Sequence, residues 1–276
     1  QRLALPNKPR LWPRSLHGRL VDKLSANSVS TIAFDVIFDE ERDKMHNNMF
    51  ADAIRRAENV LLYQSVKKVP IYQEDKNRKQ QIIGISERLQ PPLPVLRDAA
   101  LGLSLFPLPR VPARVNHFHL FNPQFGNLAT LPVLSQLVHS LDEYETVARL
   151  LKATLPAETA QLPDSLTEIH AQKNLHTLAS TLRGLFVSQP DRVNRLLSQT
   201  NQLKPDTKLQ ALFNSLAMPD SAYLNFYGPP GSIRTIPYYK ILESRAGELD
   251  LKGKAVFVGF AEEFQPDQAD VFYTVF

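Results

Sequence analysis

Asp35, Asp39, Glu40 and Asp43 crowd one short stretch of the chain, with Glu41 and Arg42 between them. Carboxylate oxygens at this density can hold a hard cation or a basic ligand group. With a bound metal, Asp35 or Asp39 could serve a hydrolytic reaction. The same residues also suit a solvated turn, with Asp39 or Asp43 capping the helix that follows. Asp35 stands among apolar neighbours, where a carboxyl group must find a partner or have its pKa raised. His117 and His119 flank Phe118, a spacing that puts both imidazoles on one face of a strand, as two ligands of a metal site would be. No third ligand stands near them in sequence, so the pair is expected to be solvent-facing strand residues and not a metal site. Gly228-Pro229-Pro230-Gly231 would make either a rigid rim for a ligand or an ordinary turn. Gly259 closes an apolar run and would let another group approach the backbone closely. Phosphate loops of the Gly-x-x-x-x-Gly-Lys-Ser/Thr type, dinucleotide fingerprints, nucleophile elbows and His-Glu-x-x-His are all absent from the sequence.

The elements that would position these residues alternate between strand and helix. Trp12, Leu16, Leu20 and Leu24 recur at helical spacing, with Arg14, Arg19, Asp22 and Lys23 mostly off that face. Val29 to Phe38 is nearly continuous in apolar and β-branched residues, the pattern of a strand covered on both faces. Met49, Phe50, Ala53, Ile54 and Ala57 then predict a helix, and Val60-Leu61-Leu62-Tyr63 a second buried strand. Such a βαβ unit places the acidic stretch at the carboxyl end of its first strand, the edge where open α/β sheets bind ligands. Val66 to Pro92 reads as a long loop or an exposed hairpin, and Leu101 to Phe106 as a third strand. Val115 to Phe121 suggests a more exposed strand, and 131–151 a helix. From 142 to 220 the periodicity is helical throughout, which predicts an inserted helical subdomain with a small core of its own. Ala222 to Tyr227 and Ala255 to Phe260 then predict two further strands. The fold expected is α/β: a mostly parallel open sheet with helices on both faces, formed by residues 1–141 and 221–276 around a helical insertion at 142–220.

Composition narrows the function classes. The chain has 276 residues, enough for one large domain or two small ones. It contains no Cys, which excludes disulfides and thiolate chemistry and suits an oxidising compartment. Its 10 Gly fall below the about 19 that a usual share of ~7% would give, against a fold rich in phosphate loops. The net charge of +4 is local: residues 1–23 carry six Lys and Arg against Asp22 alone. Without aromatic and basic residues interleaved, this reads as a solvated basic segment, and no nucleic-acid partner is expected. No apolar run approaches the ~18–20 residues of a membrane span, so the piece reads as soluble. It starts at Gln1 and ends on Val271-Phe272-Tyr273-Thr274-Val275-Phe276, and is expected to be cut from a longer protein.

Several of these stretches together resemble one family. Ile32-Ala33-Phe34-Asp35-Val36-Ile37-Phe38-Asp39-Glu40 is similar to the opening signature of the second type of CHASE domain, the sensory extracellular domains associated with cyclases and histidine kinases. Asn59-Val60-Leu61-Leu62 and the Pro92-Leu93-Pro94 to Gly102 stretch follow in that family's order. Asn225-Phe226-Tyr227-Gly228-Pro229-Pro230-Gly231 and Leu251-Lys252-Gly253-Lys254-Ala255-Val256-Phe257-Val258-Gly259 resemble its two later motifs. Asp270 and Thr274 fall at family positions, with Val275 where Pro is usual, while 142–220 is longer and more helical than the family's middle. The resemblance implies a sensor outside the bacterial inner membrane, tied to transmembrane helices of its parent chain. A cyclase or kinase would follow inside the cell. It supplies no agreed ligand.

The expectation is therefore a non-enzymatic periplasmic input domain of a transmembrane signalling protein, a nucleotide cyclase first among the outputs. A small-molecule or protein signal would bind near Asp39, Glu40, Gly228, Gly231 and Gly259. No cofactor or metal is expected, and a homodimer is, because cyclases and kinases of this kind act as pairs. The rival readings are a metal-dependent hydrolase built on Asp35 or Asp39, and a scaffold that docks a partner through the helices of 142–220.

Overall fold

The computed structural model describes residues 5, 11–74, 80–108, 115–193, 195–196, 207–229, 232–245 and 247–260. Gly231, Asp270 and Thr274 lie outside the described residues. The centre is a four-stranded sheet, in the order β10 (Ala255–Val258), β1 (Thr31–Phe34), β2 (Val60–Tyr63), β5 (Gly102–Ser104). Every pairing is parallel, with Ile32 opposite both Val256 and Val60. β10 thus lies beside β1, which joins the segments before 142 and after 220 in one open α/β sheet, as expected.

Strand alternation divides the side chains between two layers. Ile32, Phe34, Val60, Leu62 and Val258 point to one face, into a cluster with α1 (Arg14–Ala26), α2 (Lys44–Ala57), α3 (Pro94–Arg97) and α9 (Tyr238–Glu243). Ala33, Leu61 and Leu101 point to the other, where α4 (Leu131–His139) lies across the sheet. Because both faces of β1 and β2 are covered, these strands are apolar at consecutive positions instead of alternating, whereas at the edge strand β10 Phe257 is exposed. α1 and α2 approach closely at Gly18: a methyl group there would sit 3.2 Å from the Met49 carbonyl oxygen and 3.3 Å from Phe50 Cα.

The central helices depart from the expectation of a separate core. The helix expected over 131–151 is broken by a short 3-10 turn, Leu141–Glu143, into α4 and α5 (Tyr144–Thr154). α6 (Leu166–Gln172), α7 (Leu175–Ser188) and α8 (Thr207–Ala217) follow. Their buried faces, including Leu151, Ile169, Leu182 and Phe213, join one cluster with α4, Ala33 and Leu61. Sequence periodicity shows that a helix has an apolar face, and the rest of the fold decides what that face meets. Here it meets the sheet layer, directly or through α4.

Two further findings concern strands, of which only the second is a correction. Ser65–Glu74 (β3) and Gln80–Gln90 (β4) form an antiparallel hairpin with a bulge at Ile71/Tyr72, the second of the two readings of 66–92. Ile71, Tyr72, Ile82, Ile83 and Ile85 are exposed on it. The predicted strand 222–227 is only Ser221–Tyr223 (β9). It pairs antiparallel with His117–His119 (β6), apart from the main sheet, as does the small pair Phe121–Asn122 (β7) and Leu128–Ala129 (β8).

Candidate functional site at the carboxyl edge of the first strand

β1 ends at Phe34, so Asp35 stands just beyond it and is exposed. This corrects the buried carboxyl expected from its apolar neighbours. Its backbone N–H donates to the Val258 carbonyl at 2.9 Å, and Gly259 lies alongside. A Cβ on Gly259 would sit 3.6 Å from Asp35 Cβ, so the close approach expected of this glycine is to the first strand's own end.

From there the chain folds back over the aromatic end of the layer formed by α1 and α2. Phe34, Phe38 and Phe50 are fully buried, with ring centroids 5.2 to 5.6 Å apart. His17 of α1 joins them, 5.2 Å from Phe38 and hydrogen-bonded through Nδ1 to the Tyr238 hydroxyl at 2.9 Å. The loop is pinned where the Leu93 N–H donates to the Phe38 carbonyl at 2.9 Å. Asp43 is the residue that caps α2, its Oδ1 accepting the His46 N–H at 2.9 Å. Asp39 is half-buried and pairs with Lys67 of the hairpin at 3.4 Å. Glu40 is exposed and accepts from Arg42 Nη2 at 3.0 Å, and Glu41 accepts from Asn47 Nδ2 at 3.3 Å.

The sequence reading missed the most unusual residue of this edge. Arg14, expected off the apolar face of α1, is 1% exposed. Its guanidinium lies 4.4 Å from the centre of the Phe38 ring, and Nη2 reaches the Glu40 carbonyl only at 3.5 Å. Nε and Nη1 are buried without a hydrogen-bond partner, as is Nε of Arg42. Burial, and then the neighbouring Arg42, bring the Arg14 pKa down to about 10. Leaving a buried donor unmade costs about 1–3 kcal/mol, so such groups call for a physical reason. The signal was present in the spacing: Arg14, His17, Gly18 and Val21 fall at i, i+3, i+4 and i+7, and all are buried. Beside Arg14 opens a cavity of about 290 Å3, lined by Leu11, Trp12, Pro13, Arg42, Asp43 and His46 among others.

The remaining candidates lie elsewhere. Gly228 follows β9, not a strand of the main sheet, which corrects its expected place at the sheet's carboxyl edge. Its φ of 145° and the Ser232 N–H donating to the Pro229 carbonyl at 3.1 Å mark a turn that only glycine enters without strain. His117 and His119 sit on β6 with ring centroids 6.3 Å apart. Burial, and then His117, lower the His119 pKa. Among the described residues no three His, Cys, Asp or Glu are placed to hold a metal ion, so the hydrolase reading gains no support. A second cavity, about 550 Å3, opens at the sheet's other edge beside Gly102, Arg97, Lys173 and His176. Lys173 and His176 donate across to the carbonyls of Asp98 and Leu103, at 2.7 and 2.8 Å.

Fold and site together define a class: a layered α/β domain whose parallel strands present a polar, cavity-bearing carboxyl edge. The comparison with protein families is more specific. The CHASE2 domain family model matches residues 2–276, and the chain belongs to that family, one of extracellular sensor domains. No curated protein and no solved structure matches the chain. No helix among the described residues is long and apolar enough to cross a membrane.

Proposed function

We propose that the chain is the periplasmic input domain of a bacterial transmembrane signalling protein whose cytoplasmic output is a nucleotide cyclase. A signal binds the carboxyl edge of the sheet, at the Asp39–Glu40 loop and Gly259. Binding biases one of two arrangements of the domain relative to the transmembrane helices of its parent chain. Only a difference in affinity between those arrangements transmits anything, whatever the total affinity. Homodimerisation belongs to the same proposal, since it would couple two such domains to a paired output.

The observation that carries this reading is the family match over residues 2–276. The loop after β1 supports the place of binding. It draws its partners from β3, α2 and α1, so a ligand there touches elements that can move against one another. The scaffold reading loses its main feature, because α5 to α8 spend their apolar faces on the core.

The lack of Cys makes sidedness testable. Lys252→Cys lies on the exposed turn before β10. In the full-length protein in intact spheroplasts, with the unsubstituted protein as control, this variant should react with a membrane-impermeant maleimide. Labelling only after lysis would overturn the periplasmic assignment. For the site, thermal-shift screening against the Asp39→Lys/Glu40→Lys variant is the measurement. A ligand that stabilises both proteins equally would remove this loop from contention.

A further inference from the structure

The cavity beside Arg14 has the makings of a site for one chemical class. Arg14 is 1% exposed, and its Nε and Nη1, like Arg42 Nε, have no hydrogen-bond partner. The nearby carboxylates do not serve these donors. Glu40 takes Arg42 Nη2, Glu41 takes Asn47, and Asp43 takes the His46 N–H. The N-terminus of α2 opens onto the same cavity at Asp43 and His46, adding its partial positive charge. The opposite wall is apolar: Leu11, Trp12 and Pro13.

We propose that this cavity binds the carboxylate of a small organic acid, held by Arg14 and Arg42, with its apolar body against Trp12. Guanidinium groups are the donors suited to a planar carboxylate. The formal charges favour a monoanion over phosphate. Two guanidinium groups, Arg14 and Arg42, stand against three carboxylates, Glu40, Glu41 and Asp43, so a dianion would meet more repulsion there than a monoanion. A volume of about 290 Å3 suits a ligand of one ring, near the small end of ligand pockets. As the identity of the signal, this rests on the input-domain reading above. As a binding site, it does not.

Trp12 is the chain's single Trp, so tryptophan fluorescence, excited selectively over the Tyr residues, reports on this wall alone. Titration of the purified protein with benzoate should change that fluorescence saturably, with a Kd in the range of about 1 mM or tighter. Benzamide, the neutral counterpart, and inorganic phosphate should each bind at least roughly tenfold more weakly. Arg42→Gln, at a partly exposed side chain, should weaken benzoate by roughly tenfold while circular dichroism is unchanged. Arg14→Lys keeps a charge but loses the planar fork, and should weaken it too. No saturable change with benzoate at about 10 mM, equal binding of benzamide, or a folded Arg42→Gln protein that binds like the parent would each overturn the site. Those outcomes leave the periplasmic assignment standing, and labelling only after lysis would leave the site but remove its role as receptor.

Discussion

Arg14 and His176 show two ways in which this protein buries a cationic side chain. Arg14 stays charged, because its pKa of about 10 is still well above neutrality. His176 is held neutral: burial lowers its pKa below the ordinary 6.5, partly opposed by the hydrogen bond to the Leu103 carbonyl. A folded-state pKa below the unfolded one means that the unfolded chain takes up the proton first as pH falls. The contribution is therefore fully present above about 6.5 and is lost as pH drops from there through the folded value. His176→Gln can keep a donor toward Leu103 and has no charge to acquire. Thermal melts between pH 7 and pH 5 should show a shallower loss of Tm in this variant. An unchanged acid slope would place the titration elsewhere, for example at His119, an imidazole shifted in the same direction.

At the scale of elements, two helical glycines face opposite surroundings. Gly18 lies where α1 crosses α2, and a side chain there meets backbone atoms of the partner helix, which cannot swing aside. Gly184, inside α7, has nothing within 4 Å of an added Cβ. Gly184→Ala should stabilise by about 0.5–1 kcal/mol, the helix-propensity gain alone. Gly18→Val should destabilise by about 1–3 kcal/mol, because the helices must separate. Urea midpoints for the two variants check both signs. If Gly18→Val were neutral, the close α1–α2 crossing would not be as described. The same crossing matters for the candidate site, since α1 supplies Arg14 and α2 supplies His46.

Over the whole molecule, the sheet has one layer of helices on each face, and neither layer is dispensable. Ala33 and Leu61 are fully buried under the central helices, and Ile32, Phe34 and Leu62 are fully buried on the other side. A helical region with its own core could unfold by itself, whereas one that completes the sheet's burial unfolds with it. Trp12 lies on the α1 side of the sheet, remote from Leu134 in the other layer. Leu134→Ala should cost about 2–5 kcal/mol. Fluorescence of Trp12 and far-ultraviolet circular dichroism should give coincident urea transitions in both parent and variant. If the dichroism transition came first and Trp12 were undisturbed, the helical layer would be an independent unit.

The strand and helix alternation, the joining of the segments before 142 and after 220 in one parallel sheet, and the acidic loop after β1 were all legible in the chain. Consecutive apolar residues at 32–34, 60–62 and 255–258 point to parallel strands packed under helices. Family membership was legible too, because its motifs are short local stretches. The tertiary structure alone decided what the apolar faces of 142–217 meet, since periodicity records that a face is apolar and not which neighbour covers it. It alone detached Gly228 from the sheet and put Asp35 in solvent, because where a strand stops depends on its partner's register. And it alone made Arg14 a buried cation with donors to spare, because charge in a sequence says nothing of how much water reaches it.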